Sequence, residues 1–287
     1  GLLATFAQLY SNATINVGSS NYKQAQKNSK TFQVIQLIVG NNKAGFTASC
    51  KGKTHTIQGD RRGVTVLKWE FPEPVSRVSL TLNGTAEIYG VSMSGKNGVT
   101  VSNVPMRGCS GTIFTRIDST TLAQSYEQLN VALIIMQFGG NMMPQINNEK
   151  SIDRYMKNIS RQIHYLKRVN PKAEILFIGP SDMAKRVNGK IQTYPFLPEL
   201  NEALKQTVLK NGAAYWDLFQ VMGGKNSMIQ WVKHQPAWAG PDYVHFTEAG
   251  AYEIAQIFSN SFLMHYDFYT LRKSQNTELI DKFMQLD

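Results

Sequence analysis

The spacing of apolar side chains changes period near residue 95, and a chain with that break folds into two unlike halves. Upstream, residues 31–39, 44–49, 63–71, 75–82 and 86–93 are short runs rich in β-branched residues. Val78, Leu80 and Leu82 alternate with Ser79 and Thr81, and turn residues such as Gly40-Asn41-Asn42 and Asn83-Gly84 separate the runs. No helical period occurs among them. This pattern predicts an antiparallel β-sandwich within residues 1–95. Downstream, in residues 96–287, strands alternate with helices, which predicts an α/β unit with a parallel sheet and right-handed crossovers.

In that second half the expected order is a strand over 99–104, a glycine-rich loop, a helix over 119–129 and a strand over 131–138. The 131–138 run is eight apolar or near-apolar residues, the pattern of a strand covered on both faces. Residues 149–169 place Ile152, Tyr155, Met156, Ile159, Ile163 and Leu166 three and four apart, one buried face of a helix that Asn170-Pro171 ends. Further strands are expected over 174–179 and 213–218, and helices over 198–209, 247–266 and 277–285. In a sheet of this kind reactive groups sit at the carboxyl ends of the strands.

Composition removes several function classes. With 42% hydrophobic and 17% charged residues the chain is neither disordered nor fibrous, and no apolar run is long enough to cross a bilayer. Thirty basic against twenty acidic side chains give +10, but no helix carries a basic stripe, so nucleic acid is not the expected partner. The excess is concentrated in residues 1–95, which hold ten basic and four acidic groups. Two cysteines, Cys50 and Cys109, make no disulfide framework, though one bridge is open to them. No Walker or Rossmann glycine pattern occurs and no histidine pair has zinc-ligand spacing, so neither cofactor nor metal is expected.

Three short stretches carry chemistry. Asp242 and His245 stand three apart in a loop before a helix, where a carboxylate can orient an imidazole and stabilise its charged form; the same spacing also serves a turn cap and a packed ring. Gly139-Gly140-Asn141 follows the apolar strand, so Asn141 can donate to an oxyanion, or the stretch is a plain turn. Gly108-Cys109-Ser110-Gly111-Thr112 lies between a strand and a helix, where backbone N–H groups of Gly108 and Gly111 can meet negative charge. Ser110 invites a nucleophile reading, although its second glycine comes one position too early for the G-x-S-x-G elbow. Trp231, Trp238 and Tyr243 flank the Asp242 loop and suit either a sugar ring or a core.

In this order the three stretches resemble the SGNH (GDSL-like) hydrolase family. The resemblance implies a three-layer, flavodoxin-like parallel sheet, with Asp242 as orienting acid, His245 as general base, and Gly111 and Asn141 as oxyanion donors. Gly108, Gly140, Trp238 and Tyr243 are then expected to line the substrate. The family's nucleophile is the serine of a Gly-Asp-Ser segment ahead of all these stretches, and this sequence has none: Gly59-Asp60 is followed by Arg61, and Gly179-Pro180-Ser181-Asp182 has another order.

Some family members are similar in carrying a carbohydrate-binding-like, jelly-roll-like sandwich between the first and second blocks. Residues 1–95 are accordingly expected to be such an insert, and the chain a fragment lacking the first strand and its serine. The implied activity is hydrolysis of O-acetyl esters on peptidoglycan or another polysaccharide by a bacterial protein that is secreted, periplasmic or at the cell surface. Two other expectations stand beside it: a non-catalytic glycan-binding protein on the same scaffold, and hydrolysis by a relocated Ser110.

Overall fold

The computed structural model describes residues 6–19 and 30–274; the helix expected over 277–285 lies outside them. The first half is a six-stranded antiparallel sheet of β1 (Ala7–Leu9), β2 (Asn12–Gly18), β3 (Phe32–Cys50), β4 (Lys53–Ile57), β5 (Thr65–Val75) and β6 (Arg77–Ser94). Strands β3 and β6 are far longer than the sequence runs suggest. The expected turns at 40–42 and 83–84 lie inside them, where the β3–β6 register shifts between Ile38 and Phe46. Gly84 shows why turn chemistry is used there: its φ is +116°, and a Cβ would lie 2.7 Å from the Gly45 carbonyl oxygen. Turn-type residues here make bulges that bend continuous strands. Both arms of β3 and β6 feed one apolar cluster containing Ile35, Phe46, Trp69, Leu80, Leu82 and Ile88.

The second half holds α1 (Ser119–Gln128), β7 (Leu133–Gln137), α2 (Glu149–Val169), β8 (Glu174–Ile178), the hairpin β9 (Ala184–Val187) and β10 (Lys190–Thr193), α3 (Leu197–Lys210), β11 (Ala214–Trp216), the short helices α4 (Leu218–Val221) and α5 (Ser227–Lys233), and α6 (Glu248–Ser274). Strands β11, β8 and β7 form a parallel sheet in that order. Helix α2 starts at a capping box in which Asn148 and Ser151 exchange bonds, and the six residues spaced along its predicted stripe are all buried. That stripe and α3 cover the sheet face showing Met136, Ile175 and Phe177.

The opposite face departs from expectation. Leu133 and Ile135 of β7 are 37% and 43% exposed, so the apolar strand is covered on one face only. Helix α6 reaches just the carboxyl end of this face, where Phe258 meets Trp216 edge-on at 5.0 Å. Among the described residues no strand pairs with the outer edge of β7. Residues 99–104 form no strand either, and Val99 and Val101 are 93% and 81% exposed. Their alternation is that of a strand, but without a neighbouring backbone a strand has no ladder to join.

The halves are joined through glutamines that imitate a strand edge. Gln128 of α1 accepts from Val66 N–H at 2.9 Å and donates to the Val64 carbonyl at 2.6 Å, while Gln124 accepts from Val64 N–H at 2.8 Å.

Candidate active site

The loop before α1 is built around Gly111, which is buried with φ +79°; a Cβ there would lie 2.6 Å from the Phe138 ring, so only glycine fits. Its N–H points at the Cys109 thiol, with N to Sγ 3.3 Å. The Ser110 carbonyl accepts from the Tyr155 hydroxyl at 2.6 Å, which ties the loop to α2. Tyr155 is 1% exposed, and burial raises its phenol above the usual range.

The loop after β7 turns at Gly139, φ +122°, packed against Pro180 and Leu204, and enters a 3-10 helix over Gly140–Gln145. There the Asn141 amide donates to the Cys109 carbonyl at 3.1 Å. One bond thus joins the two loops that carry the expected oxyanion donors. It occupies one of the two amide hydrogens of Asn141, whose side chain is on an exposed residue.

Asp242 and His245 form the third element. Asp242 Oδ1 accepts the backbone N–H of Val244 at 3.0 Å and of His245 at 3.1 Å, and Oδ2 lies 2.7 Å from His245 Nδ1. The side-chain bond to His245, followed by the backbone bonds of His245 and Val244, holds the Asp242 carboxyl down to about 2. A carboxylate at Nδ1 assigns the proton to that nitrogen and leaves Nε2 as the basic atom. Nε2 has no hydrogen-bond partner among the described residues, and the imidazole is 82% exposed. The loop is closed by Gly240 N–H to the His245 carbonyl at 2.8 Å, and Thr247 bonds the Ala237 carbonyl at 2.6 Å. Phe246, beside His245, and Gln137, two residues before Gly139, line one cavity of about 290 Å³ together with Ile178 and Trp216.

The structure therefore pairs Asp242 with His245 and Asn141 with the Gly111 loop. The Ser110 hydroxyl lies 3.5 Å from Thr112 Oγ1, and among the described residues no hydrogen bond joins it to His245. Trp231 is core, 6% exposed, with its indole N–H on the Met222 carbonyl. One face of Trp238 is occupied by His234, stacked at 3.5 Å, while Tyr243 is half-buried with a left-handed φ of 60°. Gly108 is exposed with φ +71°, and Gly140 opens the 3-10 helix. Cys50 and Cys109 are both free thiols, so the bridge open to them does not form.

Sequence reasoning weighed Cys109 only for its thiol and Tyr155 only as part of a helix stripe, because each acts through an atom that no motif marks: a carbonyl and a phenol. It also passed over Asp182, read there only as part of an ill-ordered Gly-Asp-Ser. The signal was an acid set between Pro180 and Met183, next to an apolar strand.

A search of curated protein sequences finds no match. Among solved structures, a peptidoglycan O-acetylesterase superposes with TM-score 0.67 at 18% identity, over 88% of this chain and 77% of that one. An acetyl xylan esterase is matched at TM-score 0.40 and 14% identity over 54% of this chain and 77% of that one, too weak a likeness to carry an argument. The GDSL-like Lipase/Acylhydrolase family matches residues 78–252, a stretch that begins inside β6, covers more than half of the sequence and contains all three loops. With that stretch matched and the SGNH-type fold around it, the chain belongs to the GDSL-like lipase/acylhydrolase family.

Proposed function

We propose that this protein is the greater part of a serine ester hydrolase that removes O-acetyl groups from peptidoglycan or another polysaccharide, with a nucleophile carried outside the described residues. The observation that carries the reading is the 2.7 Å Asp242–His245 contact with Nε2 left unengaged. Nε2 takes the proton of an attacking hydroxyl as it adds to the ester carbonyl; the imidazolium then gives that proton to the departing sugar oxygen. Asn141, through its second amide hydrogen, and Gly111 N–H, released from the Cys109 thiol, stabilise the tetrahedral oxyanion, and a water activated by the same Nε2 releases acetate and restores the hydroxyl.

The unfinished sheet supports a nucleophile on an additional strand. Among the described residues, 99–104 have strand alternation without a partner, no strand pairs with the outer edge of β7, and Leu133 and Ile135 face solvent. A strand set parallel against the outer edge of β7 pairs with it and ends beside the Gly139 turn. In this reading residues 1–95 are a separate glycan-binding unit, their net positive charge suits an anionic wall polymer, and the protein works outside the cytoplasm.

The test is p-nitrophenyl acetate hydrolysis by the 287-residue chain and by a form extended at its amino terminus to include a Gly-Asp-Ser segment. The extended form is expected to gain on the order of a million-fold in turnover. It should lose this with His245→Ala and keep it with Ser110→Ala. Full activity of the extended His245→Ala variant refutes the reading.

A further inference from the structure

Asp182 is a buried carboxylate, 0% exposed, that the chemistry above does not use. It follows β8 and reaches two separate elements. Oδ1 accepts the Thr193 hydroxyl at 2.8 Å at the end of β10, and Oδ2 accepts Met228 N–H at 2.8 Å and the Ser227 hydroxyl at 3.4 Å at the start of α5. Thr193 and Asn226 are cross-linked as well, Thr193 N–H to Asn226 Oδ1 at 3.0 Å and Asn226 N–H to Thr193 Oγ1 at 2.7 Å.

Both elements continue to the loop of Asp242 and His245. Thr193 pairs with Ala184, whose N–H donates to the Tyr243 carbonyl at 2.9 Å. On the other side the Trp231 carbonyl of α5 accepts Trp238 N–H at 2.9 Å and Ala239 N–H at 3.2 Å, at the start of the same loop. Tyr243 lies between the acid and the base with φ 60°, a left-handed conformation that a non-glycine residue keeps only where its surroundings hold it. The bond from Ala184 is such a hold.

We infer that Asp182 is a positioning residue: by fixing Thr193 and the start of α5 it clamps the loop at Tyr243 and at Trp238, and so sets Asp242 against His245 Nδ1. The inference rests on the general-base reading of His245. Burial opposes a charge on Asp182 and raises its pKa, while the N–H groups of Met228 and Met183 and the hydroxyls of Thr193 and Ser227 donate to it. An amide in its place keeps the shape and loses one acceptor.

The experiment reads the His245 tautomer in the full chain by long-range proton–nitrogen correlation at pH 8, with no need of turnover. The parent protein is expected to carry the proton on Nδ1. In Asp182→Asn and in Thr193→Val the ratio of Nδ1–H to Nε2–H forms is expected to fall about tenfold, the size of losing a charge-assisted bond. An unchanged ratio with a lowered Tm makes Asp182 a structural pin alone and overturns the inference. If Asp182→Asn does not fold, Thr193→Val decides by the same criterion. A parent protein protonated on Nε2 overturns the general-base reading itself, and the inference with it.

Discussion

The two faces of the β11-β8-β7 sheet are made from equally apolar strands but are treated differently. One face, with Met136, Ile175 and Phe177, is sealed by α2 and α3. The other leaves Leu133 and Ile135 in contact with solvent, and the second half of α6 exposes Phe262, Leu263, Met264, Tyr266 and Tyr269. Parallel strands are ordinarily buried on both faces, and among the described residues this sheet is buried on one. The loops of Gly111 and Asn141 lie on the sealed side's supports, Tyr155 and Leu204, whereas the histidine loop stands on α5, α6 and the β9–β10 hairpin.

The comparison is broken most forcefully by truncation. Phe177→Ala on the sealed face is expected to cost about 3–5 kcal/mol in denaturant unfolding, the range for a fully buried aromatic. If Ile135→Ala costs as much, the open face is covered and the contrast is wrong. Gly111→Ala places a methyl group against Phe138 and forces a side chain into a left-handed φ, for about 2–4 kcal/mol by the same measurement. Phe258→Ala removes the chief cover of the open face; because its ring is half-buried, about 1–3 kcal/mol is expected. Gln128→Ala takes two hydrogen bonds from the junction with β5 and is expected to lower stability by about 1–2 kcal/mol.

The smallest effect is one of pH. The Asp242 carboxyl is held at about 2 against 3.8 for the free group, so its contribution to the loop is complete above pH 3.8 and is lost as pH falls through about 2. A carboxyl-carbon titration by nuclear magnetic resonance should show that midpoint in the parent protein and a higher one in His245→Ala. Equal midpoints show that the histidine is not what holds the charge.

How much was legible depended on whether a feature is local. The stripe on α2 was read to the residue because a helix repeats its face every three to four positions and its capping box is contiguous. Asp242 with His245 was readable for the same reason, the acid, base and backbone donors lying within four residues. The bulges in β3 and β6 were misread as turns because glycine and asparagine serve both, and only a partner strand running alongside tells them apart. The strand expected over 99–104 failed because alternation predicts a willingness to pair and not a partner.

What the amino-acid order determined by itself was the division into an antiparallel and a parallel half, the helix faces, and the Asp242–His245 contact that a local turn assembles. What only the tertiary structure decided was which apolar face is covered, that Ser110 is not bonded to His245, and that Cys109, Tyr155 and Asp182 hold the loops. These depend on contacts between residues dozens of positions apart, where chain folding and not spacing chooses the neighbour.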